Sequence, residues 1–526
     1  MLGTKNRLLI SSVSRIFGAD TISFPLHVKD IRFPPPSPPS NAPSSHANGL
    51  HSLLVRTIDM ARSTDKIVIS SLYFDISGPL SASLSSVLRR FSERATNEGG
   101  GLSIHLDHSR SHRSSDSVLH SPLKDHVHTT SPYQVEKYKP STLTEVGLGV
   151  HHGPKIFISG DDVAWIMGGN FGEDYLRCHS SGGRRDLCIG LGGGSVGRFY
   201  RDLFDNFFSM ENREKGGSWG DVVERVLSME SGRCESRSIY GKNENVDFKG
   251  DNIRGKDVDV DVDFDSDAQV VVGHYIPTFS LPKYDLRSSS SSHFLGLHDE
   301  SRILTRLINH IVSTANDKNS SAANNSATAV GNLRPFVFVA SGYLNPPPYF
   351  LSLLQSVVSA GGSVKLVTGG RYTHAMSTLG RTSQGGAKKL ITPLYLQIAN
   401  RLSRALPPGS VMLYKEGKGA TGETFHTKGL WCGVMDEFGK KILLGVAFGS
   451  SNYNARAGNL DREGGGVILF ESDGDRGKVV FNGGVGDCMM SEWDTIESMS
   501  DIYVEEGKGV GKLWREGAMK VLGRGL

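Results

Sequence analysis

Two short stretches of this chain carry residue types suited to phosphoryl transfer. The first reads His151-His152-Gly-Pro-Lys155-Ile-Phe-Ile and the second Thr424-Phe-His426-Thr-Lys428-Gly-Leu-Trp431. Residues two apart on a strand share a face, so His426 and Lys428 project together, an imidazole beside a fixed positive charge. Each stretch is followed by short polar residues in a turn, Gly168-Gly-Asn170 and Gly449-Ser450-Ser-Asn452, and then by acidic residues, Arg185-Asp186 and Asp461-Arg-Glu463. Asn170, Ser450 and Asn452 suit phosphate oxygens. Asp461 or Glu463 can accept the Nδ1 proton of His426 and leave Nε2 to the substrate, with Asp186 doing the same for the first histidine. Two such units face to face allow one imidazole to attack phosphorus while the other protonates the leaving group.

A histidine on a strand is more often structural than catalytic, and Gly-Ser-Ser-Asn is usually a plain turn. The joint recurrence of these features separates them from that background. Strand Lys66–Tyr73 ends in Ser71-Leu-Tyr73 and strand Phe336–Tyr343 in Ser341-Gly-Tyr343, the serines 270 residues apart. His152 and His426 are 274 apart, Asn170 and Asn452 282, and Asp186 and Asp461 275. Four features in one order at nearly one offset imply a duplicated α/β unit, its apolar strands alternating with amphipathic segments. The expected fold is two homologous α/β halves with mixed sheets, packed as a pseudo-dimer with helices outside.

The elements that hold these motifs divide the 526 residues into halves at 50–230 and 301–526, joined by an acidic, Ser-rich connection at 231–300 that the Asp-Val alternation of Asp257–Asp267 marks as solvated loop. Residues 1–33 carry Lys5, Arg7 and Arg15 before any acidic residue, with interspersed serines, which is the composition of a mitochondrial transit peptide and is shared by plastid ones; a proline-rich linker follows at 34–49. With 58 Lys+Arg against 55 Asp+Glu the net charge is only +3, so a nucleic-acid partner is not expected. Five scattered cysteines make neither a disulfide framework nor a zinc ribbon, and no apolar run is long enough to span a bilayer. His105, His108, His112, His126 and His128 lack a ligand pattern, so neither a metal nor another cofactor is expected.

The repeated His-Lys, Gly-Ser-Ser-Asn and Ser-x-Tyr stretches resemble the phospholipase D superfamily, whose members carry two His-x-Lys motifs each followed by Gly-Ser-x-Asn. Within it, Ser341-Gly-Tyr-Leu-Asn345, Thr424–Trp431, Gly449–Tyr453, Arg456 and Asp461-Arg-Glu463 are similar to the eukaryotic phosphatidylglycerophosphate synthases, the CDP-diacylglycerol–glycerol-3-phosphate 3-phosphatidyltransferases. The resemblance covers roughly residues 50–215 and 300–475. It implies His152, Lys155, His426 and Lys428 as catalytic residues and a phosphohistidine intermediate. The substrates would be CDP-diacylglycerol and glycerol-3-phosphate, at a peripheral, anionic, inner mitochondrial membrane surface. His152 would attack and protonated His426 would serve departing CMP, although the sequence is symmetric on that point. Arg110, Arg371, Ser341 and Tyr343 are candidate substrate contacts, with Lys388 and Lys389 beside Arg371 as further cations. Tyr343–Phe350 and Trp431 are candidates for an apolar rim toward lipid. The pattern departs from the superfamily in its first copy, which reads His-x-x-Lys: a bulge at Gly153-Pro154 would restore the shared face, and His151 is the alternative to His152. The aspartate five residues after each lysine is replaced by Gly160 and Gly433. A hydrolase acting on phospholipid or nucleic acid, or a catalytically weak lipid-binding homologue, would share the same motifs.

Overall fold

The structure is a computed structural model that describes residues 13, 15–17, 20–27, 31–32, 49–107, 115–129, 154–177, 183–193, 195–211, 222–231, 271–280, 297–324, 333–374, 388–414, 424–457, 461–470 and 485–504. His151, His152 and Arg110 lie outside the described residues, as does Asp257–Asp267.

The first half is built from six strands: β3 (Lys66–Ser71), β4 (Gly101–Leu106), β5 (Val127–Thr129), β6 (Ile156–Ser159), β7 (Val163–Met167) and β9 (Cys188–Leu191). They lie in the order β9-β7-β6-β3-β4-β5, with β3, β4 and β5 parallel and β6, β7 and β9 antiparallel. The second half repeats this with β11 (Arg334–Ser341), β12 (Ser363–Gly369), β13 (Val411–Tyr414), β15 (Lys428–Met435), β16 (Lys441–Gly449) and β17 (Glu463–Phe470), in the order β17-β16-β15-β11-β12-β13. The expected duplication is thus present strand for strand. The central strands β3 and β11 are nearly continuous apolar runs because both of their faces are covered. Helices α1 (Gly49–Met60) and α2 (Pro79–Thr96) cover the first sheet. Its partner carries α5 (Glu300–Asn324), α6 (Pro348–Ser359) and α7 (Lys388–Ala405). Between the sheets one continuous core runs through both halves, holding Ile156, Ile166 and Phe199 of the first with Phe338, Trp431 and Trp493 of the second. Tyr200 of α4 (Ser195–Glu211) and Tyr275 meet there at 2.5 Å, and both hydroxyls reach the Gly465 carbonyl. Trp431 is wholly buried, with Nε1 donating to the Met489 carbonyl, so it is core and not a lipid-facing rim.

Two segments differ from the sequence expectation. The stretch 231–300 is not loop throughout: β10 (Val271–Ser280) runs inside it and pairs along β17 from Gly273↔Phe470 to Ser280↔Glu463. Gly273 and Pro277 hide this strand from a propensity reading. Pro277 has no N–H for a ladder, but its carbonyl accepts from His298 Nδ1 at 2.8 Å. The described residues between 13 and 32, inside the stretch read as a leader, pack into the fold. Val13, Phe17, Phe24, Leu26 and Ile31 are buried. β1 (Phe24–His27) extends the second half's sheet through β10, and β2 (Ile31–Arg32) extends the first half's sheet through β9. His298 Nε2 accepts from the Ile22 N–H at 3.1 Å and anchors this strap. Deleting residues 1–33 therefore strips an edge from each sheet, and the melting temperature is expected to fall by at least several degrees. A thermal melt of the truncated chain that matches the full chain would contradict this packing.

Candidate functional site

β15 begins at Lys428 and β11 ends at Ser341, and these two residues are cross-strand partners. The C-terminal ends of the parallel strands and the entry of the motif strand therefore meet at one edge of the second sheet. There β14 (Thr424–Phe425) pairs in parallel with β8 (Arg184–Arg185) of the other half. The His426 N–H continues this two-residue ladder by donating to the Arg185 carbonyl at 2.9 Å, with Thr427 Oγ1 on the same oxygen. Arg185 is itself held by Glu492 at 2.8 Å, from α8 (Val485–Ser498).

This crossing decides the partner of His426. Its Nδ1 lies 2.7 Å from Asp186 Oδ2, a carboxylate of the first half, and both groups are buried. The expectation that Asp461 or Glu463 would serve His426, and that Asp186 would serve its own half, is corrected accordingly. Asp461 is taken by a bidentate pair with Arg456 at 2.9 Å. Glu463 occupies in the second half the place that Asp186 has in the first: Gly168 N donates to the Leu187 carbonyl as Ser450 N does to that of Gly464. Asp186 can approach this closely because residue 168 is glycine; a Cβ there would run into its Oδ1. In the other copy the residue is Ser450, whose Oγ lies 3.0 Å from the Gly464 N–H. Ser450 also hydrogen-bonds the Glu463 carboxyl.

With Nδ1–H donating to Asp186, Nε2 keeps its lone pair, and Tyr175 Oη stands 3.5 Å from it. Tyr175 comes from the short helix α3 (Glu173–Leu176), fixed because Glu173 accepts the Leu80 and Ser81 N–H groups at the start of α2. Asn170 completes the chain. Its Nδ2 donates to Tyr175 Oη at 3.3 Å, and its Oδ1 accepts from Ser71 Oγ and the Leu72 N–H. Asn170, expected to meet phosphate oxygens, is thus engaged in holding Tyr175. Asn452 Oδ1 is buried with no hydrogen-bond partner among the described residues. Ser341 holds the Asn452 carbonyl at 2.5 Å and so braces the motif turn from below. Tyr343 stands edge-on to His426, ring centres 6.0 Å apart. Arg371 is half-buried in the turn after β12, three residues before His374, whose backbone bridges to Phe425. Lys388 and Lys389 open helix α7.

Burial sets the electrostatics. It brings His426 down to about 3, with Lys428 adding to the fall and Asp186 opposing it, so the imidazole is neutral. Burial also lowers Lys428 to about 7, against the attraction of Asp186. Its Nζ donates to the His426 carbonyl at 2.8 Å and lies against the ring edge. Burial raises Asp186, yet Lys428 and His426 together hold it below the usual carboxylate range. Glu463 is pushed up to about 7 by burial, against the pull of Lys155, and its Oε2 has no partner among the described residues. Lys155 is buried at the entry of β6, whose neighbour Pro154 packs beside Gly464. Lys428 therefore stands between the Asp186–His426 pair and the Lys155–Glu463 pair, so lysines and carboxylates of both halves gather around it, an arrangement that suits a phosphate. Sequence reading missed Tyr175 and Arg184; the only available signal was their place between Asn170 and Asp186. No group of His, Cys, Asp and Glu among the described residues is arranged to hold a metal ion.

No protein-family model matches the chain, and no curated protein matches it. Among solved structures it is similar to the phosphatidylserine synthase of Haemophilus influenzae Rd KW20, with a TM-score of 0.59 at 13% identity over 98% of this chain and 97% of that one. That likeness shows a shared fold, a mixed α/β architecture matched over nearly the whole of both chains. Lower likenesses include the polyphosphate kinase of Porphyromonas gingivalis (TM-score 0.36, 9% identity, 82% of this chain and 44% of that one) and the yeast tyrosyl-DNA phosphodiesterase (TM-score 0.36, 10% identity, 78% and 85%).

Two outcomes test the site. Asp186→Asn leaves the shape but removes the charge that fixes the Nδ1–H tautomer, so turnover of whatever phosphodiester the protein accepts is expected to fall by roughly 10³-fold or more. Undiminished turnover would show that His426 does not depend on this carboxylate. A lysine brought down to about 7 loses its charge as pH rises through that value, so binding of tungstate, a dianion throughout, is expected to weaken from pH 6 to 8. Titration calorimetry on Lys428→Arg, which keeps its charge, should show a shallower decline, the remainder coming from Glu463 as it ionises over the same range.

Proposed function

We propose that the protein is a phosphatidyltransferase that moves the phosphatidyl group of CDP-diacylglycerol to glycerol-3-phosphate through a phosphohistidine, giving phosphatidylglycerophosphate and CMP. The observation that carries this reading is the neutral His426, held by Asp186 of the other half, with Lys428 Nζ 3.2 Å from its Nε2 and Lys155 acting on Lys428 from the first half. A fold shared with a phosphatidylserine synthase over nearly the whole of both chains supports phospholipid chemistry at such a site.

A neutral imidazole is the form a nucleophile requires, and this reverses the expected roles of the two histidines. In the proposed first step, His426 Nε2 bonds to the phosphatidyl phosphorus and the bond to the CMP oxygen breaks. Asp186 stabilises the charge that appears on the ring, and Lys155 and Lys428 face the non-bridging oxygens. The histidine of the first half, His152 or His151, gives its proton to departing CMP and is left neutral. It then takes the proton of the acceptor's primary hydroxyl, whose oxygen displaces His426 from phosphorus. The correspondence of Glu463 with Asp186 assigns Glu463 to orient that first-half histidine.

Membrane contact belongs to the same proposal. No helix among the described residues is long and apolar enough to cross a bilayer, so the diacyl substrate is met from the surface. The basic, serine-bearing composition of residues 1–33 is the basis for proposing the mitochondrial inner membrane as that surface, with the plastid as the alternative, even with part of that stretch packed into the fold.

Purified full-length protein incubated with CDP-diacylglycerol should release CMP in quantity only when glycerol-3-phosphate is added. Acid-labile, base-stable label from the phosphatidyl phosphate should be trapped on His426 and lost in His426→Ala. Label on the first-half histidine instead would reverse the assignment of nucleophile. Steady release of CMP and phosphatidic acid without acceptor would favour a hydrolase, and binding without turnover a lipid-binding homologue.

A further inference from the structure

Arg184 is a charged group beside the site to which the steps above give no task. It sits in β8, two residues before Asp186. Its Nε pairs with Asp174 and its guanidinium carbon lies 4.7 Å from the centre of the Tyr175 ring. Neither Nη group has a hydrogen-bond partner among the described residues, and the side chain is 22% exposed. Tyr175 also touches the reacting group, its ring centre 5.2 Å from that of His426. These two spacings keep the guanidinium within about 10 Å of the imidazole, a distance at which a planar donor fork reaches a phosphate one bridge beyond the reacting phosphorus. Tyr73 packs edge-on to Tyr175 at 6.4 Å and walls the same corner.

The two lysines are committed to the reacting phosphate in the proposed step: Lys428, whose Nζ donates to the His426 carbonyl and lies under the influence of Asp186, and Lys155, which faces Glu463. An arginine serving only to stiffen the fold would present its Nη groups to carbonyls or a second carboxylate. Here Asp174 holds the Nε edge, and the fork lies among Tyr175, Tyr73 and Tyr343, the last of which stands edge-on to His426. The field of Arg184 is felt at both His426 and Lys428, which places it within electrostatic reach of the reacting phosphorus.

We propose that Arg184, walled by Tyr73 and Tyr175, forms a second anion subsite that takes the phosphate group neighbouring the reacting phosphorus. The ligand class is a phosphate one short linkage away. In the proposed reaction this is either the outer phosphate of the diphosphate donor or the phosphate monoester of the acceptor, and the subsite rests on that reading only for the identity of these substrates.

The subsite itself is read without any turnover, from the affinities of the full-length chain for inorganic pyrophosphate and for orthophosphate. Pyrophosphate is expected to lose more than tenfold in affinity in Arg184→Gln and orthophosphate less than threefold, with Arg184→Lys restoring part of the difference. Equal loss of both anions, or loss of neither, overturns the proposal; if the glutamine variant does not fold, the lysine variant carries the comparison. Transfer kinetics then name the source. A KM rise above tenfold for CDP-diacylglycerol assigns the diphosphate, and the same rise for glycerol-3-phosphate assigns the acceptor. A fall confined to kcat, with both KM values kept, overturns a substrate-binding role. Absence of any transfer by the unaltered chain would sink the reaction proposed above while leaving the pyrophosphate result to stand or fall by itself.

Discussion

A buried carboxylate from one half of the chain holds the buried imidazole of the other, and the active arrangement follows from that contact. Asp186 alone at this depth would be costly, as would Lys428, because neither could recover its lost hydration. Together with His426 they form a compensated group in which removal of any member strands the others. The sheet edges are built to keep it intact. The two-residue ladder between β14 and β8 sets the height of His426 against Asp186, and α8 holds Arg185 from behind through Glu492. Even the absence of a side chain at residue 168 belongs to this arrangement.

The pseudo-symmetry of the two copies is close in backbone and loose in chemistry. Both sheets share six strands in one order, but one carboxylate is Asp beside a glycine and the other Glu beside a serine. The two also differ in charge state. Asp186 is held ionised by Lys428 and by the His426 ring N–H, whereas Glu463 is raised to about 7 and has a carboxyl oxygen to spare. A nucleophile needs a neighbour that is always negative, and an acid-base histidine works better with one whose charge can follow its own. The difference between the copies therefore fits a division of labour, which a symmetric motif count would not show.

Much of this was legible in the residues. The duplicated α/β architecture could be read because His426, Lys428, Lys155, Asn452 and Asp186 belong to motifs that recur at nearly one offset, though the offset matched Asp186 with Asp461 where the backbone matches it with Glu463. The pairing of carboxylate with imidazole could not, since nothing in a linear spacing says that Asp186 reaches across the chain to residue 426. The same holds for Asp461, whose true partner Arg456 is five residues away but signals nothing by itself. Tyr175 and Arg184 lack a repeated counterpart in the motif and went unseen. β10 was missed because Gly273 and Pro277 break its pattern and its acidic neighbours set the character of the whole region. The strap formed by the described residues between 13 and 32 was missed because a basic, serine-bearing amphipathic stretch looks alike whether it is an address or a sheet edge.

The single core between the halves has a consequence for what either could be alone. One half expressed by itself would present Ile156, Ile166 and Phe199, or Phe338 and Trp493, to water, and would hold an imidazole without its carboxylate or a carboxylate without its imidazole. Such a fragment could regain a working centre only by finding another fragment. Tethering the two in one polypeptide fixes their ratio at one to one and brings the partner within reach at any protein concentration, so that each copy is released from having to match itself.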